Sequence, residues 1–436
     1  MTHISGDKPF MQTGQIAKPE GPLRGVRVLD LSSVVLGPYA TMILGDLGAD
    51  VIKIEAPDGD ILRHIEPARN PGMGAVFLNT NRNKRSMVLD LKREEARGVL
   101  RDLVAGADVF LHSMRPKAIR RLGLDYEALS GLNPRLVYCN AWGFRSTGPY
   151  GDKPAYDDVI QSLSGLAELS SRAGGDPRYA PTVIADKMTG MTAAYAVMAA
   201  LFHQARTGEG QEVEVPMLES VTSCLLLEHL AAGVFQPGDA PLGYDRVLAA
   251  HRRPYATLDG FIAVMPYSTS HWQRFFRAAG RPDLAEDPRV TDMGKRSRHI
   301  GELYELISEL IATKSTADWI RLLEEADVPS VPVKSIDALF DDPHFQATGF
   351  FIDYDHPSEG RLRTTAVPTV FGQTPAGLHR VPPRLGEHTR EVLGELGYDK
   401  ARIAALETVG AIVPQMAGTR TGGAEKATAG LSAAGV

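Results

Sequence analysis

The alternation of short apolar runs with a helical segment near the start of the chain constrains the fold most. Residues 26–31 predict a strand, residues 39–47 a helix ended by Gly48, and residues 51–55 a second strand. Two strands joined by a helix form a parallel βαβ unit. Its first turn reads Ser-Ser-Val-Val-Leu-Gly-Pro and lacks the G-x-G-x-x-G fingerprint, which argues against a nicotinamide enzyme.

The same alternation continues, with further strands predicted at 87–91, 109–112, 136–141 and 212–215 and helices between them. We therefore predict an α/β fold, with an open, doubly wound parallel sheet and a second, smaller α/β domain. The predicted organisation is a flexible leader (1–21), a large domain (22–232), a linker and small domain (233–330), a C-terminal segment returning to the large domain (331–413) and a disordered tail (414–436).

Composition excludes several classes of function. The chain has 436 residues and a net charge of −6, which gives no basic surface for nucleic acid. No apolar run has membrane-spanning length, and residues 1–20 lack a signal-peptide core. Its two cysteines, Cys139 and Cys224, form neither a disulfide framework nor a metal-binding spacing. We expect a cytoplasmic protein with no metal, no permanently bound cofactor and no nucleic-acid or membrane partner.

Asp186 stands where a long helical period begins, after the β-branched run 182–184. Apolar side chains that include Met191, Tyr195 and Phe202 then recur at helical spacing. One interpretation is an N-cap, a position that aspartate favours. The other is a nucleophile that the helix N-terminus keeps ionised. The local sequence leaves both open.

Cationic residues occur beside predicted strands. Arg82, Lys84 and Arg85 precede one strand, and Arg121 lies in a short helix after another. Such a cluster is either a solvated turn or a seat for phosphates. The Gly/Pro-rich run 146–154 has the composition of a functional loop. Together with Asp186, this set suits a phosphate-rich cofactor at the carboxyl ends of parallel strands.

Several sequence blocks follow one another in a specific order. They are Gly25-Val-Arg-Val-Leu-Asp30, Leu47-Gly-Ala-Asp-Val-Ile-Lys53-Ile-Glu55, Asn83-Lys84-Arg85-Ser86, Tyr156-Asp157, Ala185-Asp186, Thr207-Gly208-Glu-Gly-Gln211 and Leu385-Gly386-Glu387-His388-Thr389. In this order they resemble the class III CoA-transferases, a family that includes formyl-CoA transferase and the carnitine CoA-transferases. The resemblance spans about residues 22–400.

The resemblance implies an interlocked homodimer whose substrates are an acyl-CoA and a small carboxylic acid, with succinyl-CoA as one candidate donor. It implies that Asp186 attacks the donor thioester to give a mixed anhydride, then forms an aspartyl-CoA thioester, and then passes CoA to the acceptor acid. The implied or charge-based CoA contacts are Val34, Val35, Leu36, Lys84, Arg85, Arg121 and Trp142. Trp142 departs from the formyl-CoA transferase pattern, which has a lysine at that position.

Two alternatives remain, a non-catalytic CoA-binding protein and an α-methylacyl-CoA racemase. The racemase pattern requires a histidine where this chain has Tyr156, and tyrosine is a poor proton shuttle near neutral pH. Formyl-CoA transferase has a glycine run where this chain has His251, Arg252 and Arg253. These three either pair with the free carboxylate of a dicarboxylic acid such as succinate or are solvated loop charges. With Tyr156 and Gln161 they are the predicted substrate contacts.

Overall fold

The computed structural model describes residues 20–237 and 241–413. The tail predicted at 414–436, and the leader predicted at 1–21 except its last two residues, lie outside the described ranges. The first part of the chain contains β1 (Arg27–Leu31), α1 (Leu36–Asp46), β2 (Asp50–Glu55), α2 (Ala75–Thr80), β3 (Lys84–Val88), α3 (Glu94–Ala105), β4 (Val109–His112), α4 (Pro116–Arg121), α5 (Tyr126–Leu132), β5 (Val137–Trp142), α6 (Asp157–Leu163), α7 (Leu166–Arg172), α8 (Ile184–Thr207), β6 (Gln211–Pro216) and α9 (Met217–His229).

These six strands form one parallel sheet in the order β3-β2-β1-β4-β5-β6, which confirms the predicted α/β fold with a parallel central sheet. Leu29 of β1 is in register with Ile52 of β2 on one side and Phe110 of β4 on the other. The strand order reverses between β1 and β4. The loops after these two strands therefore open a crevice at the carboxyl edge, where open α/β sheets bind ligands.

Apolar side chains cover both faces of the sheet, as a buried parallel sheet requires. Leu29, Phe110 and Tyr138 lie on one face, and Val28 and Val109 lie on the other. The first face is also covered by C-terminal residues, which form part of the same buried cluster: Val392, Leu393, Tyr398, Leu406, Ala411 and Ile412. Thus the end of the described chain packs on the large sheet.

The middle of the chain contains α10 (Asp245–Leu248), β7 (Tyr255–Ala256), β8 (Phe261–Val264), α11 (Thr269–Ala278), α12 (Pro282–Ala285), α13 (Pro288–Thr291), α14 (Met293–Arg298), α15 (Ile300–Ile311), α16 (Thr316–Glu325) and β9 (Ser330–Pro332). Strands β7, β8 and β9 pair antiparallel in that order. Helices α11 to α16 enclose a separate aromatic core with them, built around Trp272, Phe275 and Trp319. We call this unit the small domain.

The remaining elements are α17 (Pro343–Thr348), the hairpin β10 (Phe351–His356) and β11 (Gly360–Thr365), α18 (Thr389–Glu395) and α19 (Lys400–Thr408). The segment between β11 and α18 contacts β3 and the residue before it. The Asn83 N–H donates to the Arg380 carbonyl at 2.9 Å, and the His388 N–H donates to the Ser86 carbonyl at 2.9 Å. Within the described residues, no helix is long and apolar enough to cross a membrane.

One predicted boundary was wrong. Strand β3 begins at Lys84, not at residue 87, because its charged side chains are buried and paired and so lie within the sheet. The residues after Tyr156 form two helices, α6 and α7, which are divided at Gly165, whose φ of 88° is left-handed.

Candidate active site

Helix α8 places Asp186 at the carboxyl edge of the sheet. The helix directly precedes β6 and runs antiparallel to the strands, so its C-terminus reaches the amino edge and its first turn lies at the carboxyl edge. Asp186 is the third residue of α8; the N-cap is Val183, not Asp186 as the local sequence suggested. The Asp186 side chain is buried, and its carboxyl oxygens make no hydrogen bond to the described residues. The carboxyl group is thus available for chemistry.

A second carboxylate performs the capping. The backbone N–H of Asp186 donates to Oδ1 of Asp157, the first residue of α6, at 2.9 Å. The other oxygen of Asp157 accepts from the Gln161 side-chain amide at 2.5 Å. Gln161 is fully buried, and its own oxygen accepts from the Ala180 N–H at 2.9 Å. Gln161 therefore orients Asp157, one turn before it on the same helix, and Asp157 holds the first turn of α8.

Burial and the neighbouring carboxylate of Asp157 both change the pKa of Asp186. Burial, followed by the negative charge of Asp157, raises the pKa of Asp186 to about 7. In the described residues these two effects oppose the predicted influence of the helix N-terminus, which favours the ionised carboxylate. A carboxylate with a raised pKa is a stronger nucleophile once ionised than an ordinary aspartate.

The loop after β1 approaches Asp186 closely. A side-chain Cβ at Gly190, one turn after Asp186, would lie 2.8 Å from the Leu36 carbonyl oxygen, so only glycine permits this contact between α8 and α1. Leu36 also packs in one buried cluster with Ala185. Val34 has a left-handed φ of 69°, and its N–H donates to Asp60 at 3.2 Å. Leu36 therefore lies beside the turn that bears Asp186, and the other predicted CoA-binding residues of this loop, Val34 and Val35, directly precede Leu36 in the chain.

A buried ionic network holds the loop after β1 in place. Lys53 donates to the Ser32 carbonyl at 2.9 Å and to Asp60 at 3.0 Å. Lys84 donates to Asp30 at 3.0 Å, to the Pro38 carbonyl at 2.8 Å and to Asn81 at 2.8 Å. Lys84 is fully buried, and these three bonds use all three of its protons. A phosphate contact by Lys84, as the sequence suggested, is therefore wrong for this arrangement.

Arg85 is also fully paired within the protein. Its guanidinium is buried and contacts Asp50 at 2.6 Å and Glu395 at 2.6 Å, together with Glu391 at 3.1 Å. These carboxylates tie α18 to the edge of the large sheet. The sequence predicts a phosphate contact here because the partners of these cations are distant in the chain. Glu391 and Glu395 lie about 300 positions after Arg85. Lys84 and Arg85 hold the fold together.

The other predicted CoA contacts have different surroundings. Arg121 ends α4, is exposed, and makes no ion pair with any described residue. Trp142 ends β5 at the carboxyl edge, where its indole N–H donates to Glu214 at 3.0 Å. The same Glu214 oxygen accepts the Ser146 N–H at 2.5 Å and so anchors the start of the Gly/Pro-rich loop. Of the three predicted CoA-binding cations, Lys84, Arg85 and Arg121, only Arg121 has no ion-pair partner among the described residues.

The predicted substrate contacts do not lie together in the described chain. Tyr156 is the N-cap residue of α6, adjacent to Asp157, and its side chain is 68% exposed. His251, Arg252 and Arg253 instead precede β7 of the small domain. His251 is half-buried, 3.9 Å from Glu305 of α15, and the two arginines are exposed. No described contact joins these three residues to Asp186.

Comparison with known proteins identifies the class. The model of CoA-transferase family III matches residues 23–389. The chain therefore belongs to CoA-transferase family III and is a CoA-transferase, as the order of its sequence blocks indicated.

Individual relatives are similar over nearly their whole length. The succinate–glutarate CoA-transferase of Agrobacterium fabrum is 35% identical over 387 residues, which span 86% of this chain and 96% of the relative. The human succinyl-CoA:glutarate CoA-transferase is 31% identical and covers 90% of each chain. A crystal structure of a CaiB/BaiF family protein from Brucella suis superposes with a TM-score of 0.73 at 30% identity, covering 86% of this chain and 100% of that chain.

Proposed function

We propose that the chain transfers CoA from succinyl-CoA to a small dicarboxylic acid, with Asp186 as the covalent nucleophile. The observation that carries the mechanism is the Asp186 carboxyl group, buried at the carboxyl edge of the sheet beside residues 34–36 and without a hydrogen bond of its own to the described chain. The substrates are proposed from the relatives, two of which are named for succinate or succinyl-CoA and glutarate.

The reaction balances as two paired acyl exchanges. An Asp186 carboxylate oxygen attacks the donor thioester carbonyl, the C–S bond breaks, and a mixed anhydride and CoA thiolate result. The thiolate attacks the aspartyl carbonyl, which releases the donor acid and leaves an aspartyl-CoA thioester. The acceptor carboxylate attacks that thioester, and the thiolate then attacks the acceptor carbonyl of the second anhydride. Acyl-CoA leaves, and Asp186 is regenerated as a carboxylate.

The residues around Asp186 have separate proposed roles. Gln161 and Asp157 fix the turn, and the charge of Asp157 raises the pKa of Asp186. Arg121 is the proposed phosphate contact, since its guanidinium is exposed and unpaired within the described residues. Val34, Val35 and Leu36 are the proposed neighbours of the pantetheine chain. Trp142, held by Glu214, is a proposed wall of the same crevice.

We propose that the protein is a homodimer. Helix α8 buries its small residues, including Ala193 and Val197, and turns bulky apolar side chains outward. Met191, Tyr195 and Phe202 of α8, which recur at helical spacing, are 48%, 61% and 64% exposed. Exposed apolar surface of this kind marks protein interfaces. Sedimentation at micromolar concentration tests the proposal, and a purely monomeric profile would overturn it.

Substitution of Asp186 tests the proposed function. We expect the Asp186→Ala variant to bind succinyl-CoA but to form no detectable glutaryl-CoA from glutarate. Full transferase activity in this variant would overturn the covalent mechanism. The racemase alternative predicts exchange of the α-proton of a chiral 2-methylacyl-CoA in deuterated water. We expect none, because Tyr156 stands where that chemistry needs a histidine.

A further inference from the structure

A cavity of about 480 Å³ lies between the start of the linker and the small domain. Its walls come from the turn after α9, from the segment that begins α10, and from α11, α14 and α15. The aromatic side chains of Tyr244, Tyr267 and Trp272 line it, together with two arginines, Arg246 and Arg296. The volume is within the range of small-molecule sites, which are mostly apolar with a few placed polar groups.

Arg296 is held rigidly at the cavity wall. The residue is only 6% exposed, and its Nη1 donates to the Thr269 hydroxyl at 3.0 Å and to the Val290 carbonyl at 2.7 Å. Its Nε and Nη2 have no hydrogen-bond partner among the described residues, and neither atom is sealed from the cavity. A guanidinium fixed through one nitrogen presents its other donors in a set geometry.

Arg246 lies on the opposite, linker side of the cavity. Its Nε donates to the Tyr304 hydroxyl at 3.0 Å, its Nη2 lies 3.3 Å from the Met265 sulfur, and its guanidinium carbon lies 4.7 Å from the centre of the Tyr267 ring. Within the described residues, neither Arg246 nor Arg296 has a carboxylate within 4.0 Å. Two guanidinium groups therefore share one cavity without an ion-pair partner.

The electrostatics agree with this geometry. Burial, followed by the charge of Arg246, lowers the pKa of Arg296, and Asp292 opposes the change. Asp245 also lines the cavity, but its carboxylate pairs with neither arginine. The Asp292 carboxylate accepts the Lys295 N–H at 2.7 Å. An incoming anion would relieve the repulsion between the two guanidinium groups.

We propose that this cavity binds a small free organic carboxylate, held by Arg246 and Arg296 with its carbon chain against Tyr267 and Trp272. A carboxylate accepts two parallel N–H bonds from a guanidinium, and the aromatic wall suits the methylene part of a short acid. This proposal does not rest on Asp186. It also differs from the sequence-based assignment of carboxylate binding to Arg252 and Arg253, which do not line the cavity.

Titration calorimetry of the full chain tests the site. Glutarate is the probe, and glutaramide is its neutral counterpart. The titration contains no CoA ester, so glutarate cannot turn over and the measurement does not depend on the proposed mechanism. We expect heat of binding with glutarate and none with glutaramide. The proposal is overturned if glutarate does not bind at about 10 mM, or if glutarate and glutaramide bind equally.

Matched variants assign the binding to the cavity. We expect Arg246→Met to weaken glutarate binding about tenfold or more, Arg246→Lys to recover part of it, and Arg252→Met to leave it unchanged. Arg246 is half-buried, so these variants keep the fold; Arg296→Met is the second probe if its melting temperature is retained. Unchanged binding in Arg246→Met overturns the proposal. If Arg246→Met changes the oligomeric state but keeps its affinity for glutarate, the cavity binds a carboxylate side chain of a second copy of this chain. That result would also overturn the proposal.

Discussion

The backbone N–H of Asp186 donates a 2.9 Å hydrogen bond to Oδ1 of Asp157, so one buried carboxylate holds the helical turn that bears the other. This contact has two opposite effects. It fixes the backbone of α8 at the crevice, and it places a negative charge beside the proposed nucleophile. The raised pKa of Asp186 follows from burial and from this charge. A substitution at Asp157 separates the two effects.

Asp157→Asn removes the charge and retains an oxygen that can accept the Asp186 N–H. We expect the acid limb of the kcat/KM profile to lie near pH 7 in the native chain and about one pH unit lower in Asp157→Asn. Gln161→Met is the control, because it breaks the 2.5 Å bond to Asp157 and leaves the charge. Its limb should stay near pH 7 while turnover falls. An unmoved limb in Asp157→Asn would contradict the assigned role.

Asp186 itself makes stability depend on pH. Its pKa is raised from 3.8 to about 7 in the folded chain, so the folded state binds more protons than the unfolded state between these values. The contribution of Asp186 to the free energy of unfolding is therefore most favourable below about pH 4 and becomes less favourable as the pH rises toward 7. Asp186→Asn should lose that dependence, so its stability relative to the native chain should rise by about 4 kcal/mol between pH 4 and pH 8. Urea unfolding at both pH values measures this, and an equal difference at both contradicts it.

Lys84 and Arg121 have contrasting predicted roles. Lys84→Met leaves the buried Asp30 without its cation and should destabilise the fold by about 3–5 kcal/mol, as removal of one partner of a buried pair does.

Arg121→Gln should leave the melting temperature within 1–2 °C and raise KM for succinyl-CoA about tenfold. Arg120→Gln is the matched control, since Arg120 is the adjacent exposed arginine of α4. Equal KM values for both arginine variants would remove Arg121 as a phosphate contact.

Gly190 should not tolerate a side chain. In Gly190→Ala the new Cβ would lie 2.8 Å from the Leu36 carbonyl oxygen and 3.0 Å from the Tyr39 ring, so α8 must move away from the loop 34–36. We expect a loss of stability of about 1–3 kcal/mol and a raised KM for acyl-CoA. Gly98→Ala in α3 is the control, because no atom lies within 4 Å of its added Cβ, and it should gain about 0.5–1 kcal/mol. A stabilised Gly190→Ala protein would refute the close approach.

The sequence predicted the sheet well because buried parallel strands appear as apolar runs, such as Val109–His112, separated by helical spacing. The order of blocks, rather than the local helix signal, also predicted a catalytic role for Asp186, and that role stays a prediction. It did not assign Asp157 a role, although Asp157 and Gln161 stand four residues apart on one helix. That spacing indicates a contact between their side chains and does not reveal the third residue, 29 positions away.

Charge was the least reliable guide from sequence. Lys84 and Arg85 are cationic and lie near a strand end, as phosphate-binding residues do, but their carboxylate partners are 35 to 310 positions away in the chain. Arg246 and Arg296, 50 positions apart, gave no motif at all, and folding brings both to one cavity. Pairing over such distances is set by tertiary packing, which local patterns do not encode.

The covalent role of Asp186 is tested most directly by mass spectrometry of the protein quenched in acid after brief mixing with succinyl-CoA. The account predicts that the peptide containing Asp186 gains the mass of one CoA less one water, that hydroxylamine removes the adduct, and that glutarate chases it into glutaryl-CoA. Transfer of CoA to glutarate at the native rate by the Asp186→Ala protein, with no adduct on this peptide in the native chain, would contradict the account.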